Sequence, residues 1–204
     1  MANHIVTRRL LMVQLGVEEA VALVDGRGGS DRPWAPGYPD DGALVAAGFV
    51  MTAAQHGRDL GPYGTYEIIR RSDGKVIGAA GFQGGPDKTG AVRVGYGIAE
   101  SARGHGYATE ALRALLQWAR GQDGLTAVLA DTTRTNVASQ KVMERAGMHS
   151  VGEPFLHGGG GQAVEELLGQ GGHALTLSRR VRTAVDTRWR AASGEHSSAA
   201  AMRS

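Results

Sequence analysis

The chain contains no cysteine among its 204 residues. This absence excludes a disulfide framework, a metal site built from thiolates and a covalent intermediate on a cysteine. It also fits a reducing compartment. No apolar run is long enough to span a bilayer, and the sequence Met1–Leu15 does not resemble a signal peptide. We therefore expect a cytoplasmic protein without a membrane partner.

Charge and histidine spacing argue against two further kinds of partner. The formal net charge is only +2, so overall electrostatics give no reason to expect nucleic-acid binding. The seven histidines include no His-x-x-x-His pair, and we expect no metal site. A length of 204 residues with 42% hydrophobic content fits one ordinary globular domain.

Hydrophobic periodicity predicts that strands and helices alternate, which is typical of an α/β (α+β) fold with helices on both faces of a sheet. The predicted strands are Ile5–Met12, Thr65–Arg71, Val76–Phe82, Ala91–Ile98, Leu125–Thr132, a strand from Met148 and His173–Arg180. The predicted helices are Val17–Asp25, a helix capped by Asp40 or Asp41 and running to His56, Tyr107–Arg120, Asn136–Ala146 and the short Ala163–Leu168 inside the glycine-rich segment 158–172. We expect residues 1–183 to form this domain and residues 184–204 to be a disordered C-terminal tail.

The most informative segment reads as strand, glycine turn and helix within Val92–Arg120. At its centre is the sequence RGHGYA, Arg103–Ala108, and the apolar residues after it recur at helical spacing. A strand that turns through two glycines into the start of a helix leaves several backbone N–H groups unpaired. Those groups and the helix dipole favour a bound anion, usually a phosphate. We therefore expect a phosphorylated cofactor at this turn.

Three familiar motifs do not account for the glycines. A nucleoside-triphosphate P-loop needs Gly-Lys-Ser/Thr, which occurs nowhere in the chain. A dinucleotide fingerprint needs a third glycine where Thr109 stands. The His157–Gly160 run is similar to the oxyanion loop of lipases, but no G-x-S-x-G nucleophile motif follows it. For the loop taken alone, a bare turn without a ligand stays the alternative.

The turn resembles the acetyl-CoA loop of the GNAT N-acetyltransferases, whose signature is Q/R-x-x-G-x-G/A. Arg103, Gly106 and Ala108 stand at the three fixed positions of that signature. The opening sequence Thr7–Leu11 is similar to the Thr-x-Arg-Leu strand of the branch that contains the ribosomal-protein N-terminal (Rim-type) acetyltransferases.

A second block strengthens the resemblance because it follows in the family's order and at its spacing. Asn136 and Ser139 match the family's Asn-x-x-Ser helix, which ends in a Gly-Phe or Gly-Met pair, here Gly147–Met148. The resemblance extends over residues 5–152. Two blocks in order make a chance match of the loop far less credible than one block would.

The resemblance implies a mixed sheet of about six to seven strands in which two adjacent strands splay apart after the fourth. The pantetheine arm of acetyl-CoA (coenzyme A) enters that gap and pairs with exposed backbone, and Gly95–Gly97 would be a bulge in the fourth strand. The implied cofactor-binding residues are Ile98, Ala99, Arg103, Gly104, His105, Gly106, Tyr107, Ala108, Thr109, Asn136 and Ser139.

The implied reaction is direct acetyl transfer to a primary amine. Many GNAT enzymes use a tyrosine on the helix of the second block as the acid for the leaving thiolate, but none stands between Asn136 and Gly147. Ser139 is the matching candidate in the ribosomal-protein branch. For Asn136, a pantetheine contact and a helix N-cap are both open and are compatible.

Neither the general base nor the acceptor amine is settled by the sequence. Glu67 is the first candidate base, with Glu100 and Glu153 as further options, and each could equally be a surface carboxylate. Trp34 and Tyr38 are the expected substrate contacts, or else packing over the sheet edge.

The resemblance leaves open what the chain does with the cofactor. The acceptor is either a protein N-terminus or a small molecule. The alternative function is a catalytically silent GNAT domain that senses acyl-CoA or acts as a scaffold, and assembly as a homodimer is left open.

Overall fold

The computed structural model describes residues 4–27, 32–133 and 135–150, together with the backbone of 172–177. Within these ranges, no helix is both long and apolar enough to cross a membrane. The predicted helix Ala163–Leu168, the predicted tail 184–204 and Glu153 lie outside the described residues. The predicted last strand is observed over Gly172–Leu177.

The described elements form one sheet flanked by helices. The strands are β1 (His4–Val6), β2 (Leu10–Gln14), β3 (Thr65–Arg70), β4 (Val76–Phe82), β5 (Ala91–Ile98), β6 (Ala127–Thr133), β7 (His149–Ser150) and β8 (Gly172–Leu177). The helices are α1 (Val17–Val24), α2 (Asp41–Gln55), α3 (Tyr107–Arg120) and α4 (Val137–Ala146). The strand order is β1-β2-β3-β4-β5-β6-β8-β7. Only the β5–β6 pair is parallel within this described sheet, which confirms the predicted mixed α/β class with eight strands in place of six to seven.

The predicted first strand, Ile5–Met12, is wrong as a single element because a tight turn divides it. The amide of Thr7 donates to the carbonyl of Leu10 at 2.9 Å, and the Thr7 hydroxyl accepts from the Leu10 amide at 3.0 Å. These bonds close a hairpin between β1 and β2. The family-like Thr-x-Arg-Leu sequence is therefore a turn between two strands.

Helix boundaries follow local signals that the sequence carries. The Asp40 side chain accepts from the amide of Ala43 and caps α2, as predicted. Gly147 ends α4 with φ 95°, the left-handed conformation that glycine adopts most readily. Local capping chemistry thus fixes two of the helices that border the site.

The sheet splays at β5, which is where the resemblance implies a gap. β5 pairs with β6 over Ala91–Arg93 and with β4 over Val94–Ile98. The bulge predicted at Gly95–Gly97 is wrong, because the register with β4 runs without interruption there. Gly97 has another reason to be glycine: a Cβ on it would lie 2.8 Å from a carboxylate oxygen of Asp40. The absent side chain lets the start of α2 approach the strand.

Two buried clusters lie on opposite faces of the sheet. The first cluster joins the sheet to α3 and α4 through residues such as Leu112, Leu115 and Met143. The second cluster joins it to α1 and α2 through residues such as Leu23 and Ala47. The predicted placement of helices on both faces is confirmed, and side chains that alternate along a strand can be assigned to one face or the other.

Candidate active site

The glycine turn presents backbone donors to solvent at the start of α3. Gly104 and Gly106 have φ of 81° and 78°, and Gly106 stands at the N-cap without a side chain to cap the helix. In the part of the chain that the structure describes, no acceptor meets the amides from Gly104 to Thr109. Unpaired amides at a helix N-terminus form an anion-binding arrangement. The predicted phosphate loop is therefore geometrically ready for an anionic ligand.

The two basic side chains of the loop, Arg103 and His105, help to hold its shape. Arg103 donates from Nε to the carbonyl of Ile98 at 2.9 Å, which ties the loop to the end of β5. His105 Nδ1 lies 2.8 Å from the carbonyl of Arg103, and its ring stacks on Tyr107 with centroids 5.8 Å apart. The backbone amides and the terminal N–H groups of Arg103 are thus the donors that the loop offers.

The hairpin β1–β2 clamps the first turn of α3 through Glu110. One carboxylate oxygen accepts from the Thr7 hydroxyl at 2.7 Å and from the Arg9 amide at 2.9 Å, while the other accepts from Arg9 Nε at 2.6 Å. Burial alone would raise the pKa of Glu110, but these hydrogen bonds outweigh it and hold the pKa below its ordinary value. Arg9 also donates to the carbonyl of His105 at 2.9 Å. Part of the loop's rigidity therefore comes from the hairpin.

Hydrogen bonding along β5 distinguishes the backbone amides of Ile98 and Ala99, two of the residues that the resemblance implies for cofactor binding. The amide of Ala99 donates to the carbonyl of Ile77 at 2.8 Å, so it is committed to the sheet. Bonded and non-bonded pairs alternate in an antiparallel ladder, and the amide of Ile98 therefore points away from β4 toward the gap. Of the two predicted residues, Ile98 keeps an N–H on the cleft side and Ala99 does not.

The hydroxyl groups of Ser139 and Tyr96 meet at the start of α4, and the sequence did not predict a role for Tyr96. The Asn136 side chain accepts from the Ser139 amide at 3.0 Å, which confirms the N-cap role. The Tyr96 hydroxyl lies 2.8 Å from Ser139 Oγ and 3.0 Å from the Ser139 carbonyl. Burial raises the pKa of Tyr96 to about 12, with a smaller opposing effect from the bond to Ser139. A tyrosine thus reaches the candidate acid from β5 and not from the helix.

Glu67 is buried on the face that α1 and α2 cover. Its side chain is 3% exposed, and its neighbours are the Tyr38 hydroxyl at 3.5 Å and Arg32 at 3.8 Å. Burial raises the pKa of Glu67 above its ordinary value, with smaller lowering effects from Arg32 and Tyr38. Burial and the nearby Glu67 carboxylate likewise raise the pKa of Tyr38. Glu100, by contrast, is exposed on a short 3-10 turn.

The loop with the predicted substrate contacts packs against the end of the sheet next to the phosphate loop. Trp34 and Tyr38 meet edge to face with ring centroids 5.5 Å apart. The backbone of Ala35 donates to the Val76 carbonyl at 2.9 Å, and Ser101 donates from Oγ to the Pro36 carbonyl at 2.6 Å. Trp34 Nε1 is buried without a hydrogen-bond acceptor among the described residues. The loop thus holds its aromatic pair beside Glu67.

Two further carboxylates border the gap on the same face as Glu67. The Asp40 carboxylate lies over Gly97 of β5, as its contact with a Cβ placed there shows. Asp131 of β6 pairs with Arg93 through one oxygen. Its other oxygen is buried and finds no partner within the described ranges. The sequence predicts only a capping role for Asp40, and the alternation of side chains along β6 was the available signal for Asp131.

Comparison with known proteins finds similarity to acetyltransferases. The Acetyltransferase (GNAT) domain family matches residues 9–149. The chain is 29% identical over 85 residues to the uncharacterized N-acetyltransferase YjdG of Bacillus subtilis (strain 168), a match that covers 42% of this chain and 51% of that protein. The chain thus spans about half the length of that curated relative.

Solved structures with low sequence identity share the fold. The ribosomal-protein-S5-alanine acetyltransferase from Vibrio fischeri aligns with a TM-score of 0.57 at 15% identity, over 87% of this chain and 97% of that one. The microcin C7 self immunity acetyltransferase MccE, solved with acetyl-CoA and AMP, aligns with a TM-score of 0.56 at 13% identity, over 84% of this chain and 93% of that one.

Proposed function

Because the chain belongs to the GNAT acetyltransferase family, we propose that it is an N-acetyltransferase that moves an acetyl group from acetyl-CoA to a primary amine in a ternary complex. The observation that carries this proposal is the row of unpartnered amides from Gly104 to Thr109, placed beside the splayed edge of β5 among the described residues. One structural neighbour, MccE, was solved with acetyl-CoA, which supports the choice of donor.

The loop suits the pyrophosphate of acetyl-CoA in space as well as in charge. A Cβ added at Gly104 would meet nothing within 4 Å, and one at Gly106 would meet only Arg9 at 3.7 Å, so a ligand can approach the backbone closely. The aligned amides and the helix dipole supply the positive potential. Acetyl-CoA supplies the activated acyl group, and the exposed β5 edge and Asn136 would hold its pantetheine arm. Arg103, His105, Tyr107 and Ala108 would shape the loop around it.

The thioester carbonyl would lie at Ile98, whose amide points into the gap. A backbone N–H aimed at the carbonyl oxygen stabilises the oxyanion that develops when the amine attacks. In the proposed reaction the amine attacks the thioester directly, and no acetyl-cysteine intermediate can form because the chain contains no cysteine. Ser139 lies at the start of α4 and would give its proton to the leaving sulfur.

The acceptor amine would enter from the face of the sheet that α1 and α2 cover, opposite to the face that α3 and α4 cover. Trp34 and Tyr38 would contact it, and the carboxylates of Asp40 and Glu67 favour a group that arrives as a cation. We propose Glu67 as the base that removes the amine proton, because it lies beside Tyr38 and burial raises its pKa above the ordinary value. Asp131 is the second candidate, because one of its oxygens is buried and unpartnered among the described residues.

A silent acyl-CoA-binding domain is the second candidate function, and one observation favours it. Glu67 is 3% exposed and sealed by Tyr38 and Arg32, so an amine must displace these neighbours or be reached through water. Such a domain would bind acetyl-CoA through the same loop without turnover.

Thiol release from acetyl-CoA in the presence of an amine panel tests the choice. The panel contains a peptide with a free N-terminus, a polyamine and an aminoglycoside, and the N-acetylated peptide serves as the matched control. Release with a free amine and none with the blocked peptide would support the enzyme. Acetyl-CoA binding without release from any amine would favour the silent domain.

A further inference from the structure

We propose that Tyr96 positions the Ser139 hydroxyl so that its proton is directed to the leaving sulfur, an inference that rests on the proposed acetyl transfer. Tyr96 lies on β5 and Ser139 on α4, 43 residues apart in the chain. Their contact makes a hydroxyl pair at the edge of the gap, although the helix itself has no tyrosine.

The phenol is within hydrogen-bond distance of both oxygens of Ser139, at 2.8 Å from Oγ and 3.0 Å from the carbonyl. A phenol has a single proton and can donate it to only one of them. When the phenol donates to the carbonyl, the Ser139 proton points at the phenol oxygen. When the phenol donates to Oγ, the Ser139 proton is free to point into the gap, and this second arrangement is the one that the proposal requires once the cofactor is bound.

Other parts of the structure hold both Tyr96 and Ser139 in place. The ring of Tyr96 packs against the first buried cluster, and its backbone stands opposite Ala80 in the β4–β5 register. Ser139 is fixed at its amide by the side chain of Asn136. A serine hydroxyl otherwise samples several staggered positions, so a fixed phenol selects among them. The Ser139 hydroxyl therefore already has a fixed orientation before the cofactor binds.

The pair lies close to where the thioester is proposed to bind. Tyr96 and Ile98 are two positions apart on one strand, which separates their Cα atoms by about 7 Å. Their side chains share the face that α3 and α4 cover. A sulfur held near the Ile98 amide is therefore within reach of a hydroxyl that approaches from α4.

In the proposed reaction Ser139 transfers a proton to the sulfur, and Tyr96 only orients the Ser139 hydroxyl. The amine nitrogen bonds to the carbonyl carbon, the carbon–sulfur bond breaks with its electron pair on sulfur, and the sulfur takes the Ser139 proton. The proton released by the amine returns through solvent to the Ser139 oxygen. Because burial raises the pKa of Tyr96 to about 12, the phenol keeps its own proton at neutral pH.

A double-mutant cycle with Tyr96→Phe and Ser139→Ala tests the inference. We expect Ser139→Ala to lower kcat about 100-fold and Tyr96→Phe about 10-fold, with little change in the Kd for acetyl-CoA. In the Ser139→Ala background, Tyr96→Phe should cause no further loss of kcat. Tyr66→Phe is the matched control, because the Tyr66 hydroxyl donates to the Pro62 carbonyl at 2.8 Å, away from the pair. That control should retain the wild-type kcat.

A second measurement does not depend on turnover. Ultraviolet absorbance of the CoA thiolate, titrated against pH in the complex, gives the pKa of the bound thiol. A donor aimed at the sulfur favours the thiolate, so this pKa should be lower in the wild type than in Tyr96→Phe or Ser139→Ala.

The inference is overturned if Tyr96→Phe leaves kcat and the thiol pKa unchanged, or if its loss of kcat persists in the Ser139→Ala background. If the wild type binds CoA but transfers no acetyl group, the proposed enzymatic function is wrong, and the pKa of the bound thiol still tests the contact between Tyr96 and Ser139. If the wild type does not bind CoA, both the proposed function and the role of Tyr96 are wrong.

Discussion

Arg9 and Glu110 are 101 residues apart in sequence and meet at 2.6 Å, which joins the hairpin to the first turn of α3. The guanidinium of Arg9 also lies 4.7 Å from the ring centroid of Tyr107, the first residue of that helix. The proposed phosphate loop is therefore held at its helical end by a hairpin from the edge of the sheet. The family-like opening sequence has a structural role at the proposed cofactor site.

Removal of this clamp should weaken cofactor binding. Glu110→Ala deletes three charge-assisted or neutral hydrogen bonds to a carboxylate whose side chain is 17% exposed, so we expect a loss of about 1–3 kcal/mol in unfolding free energy. The loosened loop should also raise the Kd for acetyl-CoA about 10-fold. Urea unfolding and calorimetric titration measure the two effects. Asp73→Ala, which removes the surface pair with Arg70, is the control and should leave the Kd unchanged. An unchanged Kd in Glu110→Ala would contradict the clamp.

Glu67 should make folding stability depend on pH in a definite direction. Its folded-state pKa is raised above the unfolded value, so the neutral form is favoured in the folded protein. Its contribution to stability is complete below the unfolded pKa and is lost as pH rises through the folded pKa. Glu67→Gln cannot ionise, so its stability relative to the wild type should increase over that pH range. Urea unfolding across pH measures the difference, and parallel curves for the two proteins would refute it.

Kinetics should distinguish the two candidate bases. If Glu67 removes the amine proton, Glu67→Gln should lower kcat about 100-fold and remove the acidic limb of the pH profile. Asp131→Asn is the matched amide substitution on the other side of the gap, and we expect a much smaller loss. The reverse ranking would assign the base to Asp131.

Close approach at Gly97 should make that position intolerant of a side chain. A Cβ there would lie 2.8 Å from the Asp40 carboxylate that caps α2, so Gly97→Ala should cost about 1–3 kcal/mol of unfolding free energy. Gly95→Ala is the control on the same strand and face, where the nearest atom is the end of the Gln83 side chain at 3.4 Å. Equal stabilities in urea for the two variants would show that α2 does not depend on this contact.

The sequence predicts the parts of the site that depend on neighbouring residues. The glycine turn, the Asp40 cap and the α4 cap at Asn136 follow from local chemistry, and all three are present. Contacts across the fold are not local. Asn136 and Ser139 could be recognised from their spacing, but Tyr96 reaches Ser139 only because β5 and α4 come together in the tertiary structure. Likewise, the sequence could not show that the Ala99 amide already donates to the carbonyl of Ile77 across the sheet.

Calorimetric titration with acetyl-CoA tests the central claim, that the amides at the start of α3 hold the pyrophosphate. Three proteins are compared: the wild type, Gly106→Asp and Gly124→Asp. Gly124 is an exposed glycine with φ 81°, so its substitution reproduces the backbone strain away from the site. Binding by the wild type and Gly124→Asp, with none by Gly106→Asp, is the expected result, because a carboxylate at position 106 would face the phosphates. Unchanged affinity in a folded Gly106→Asp protein would contradict the assignment of the loop.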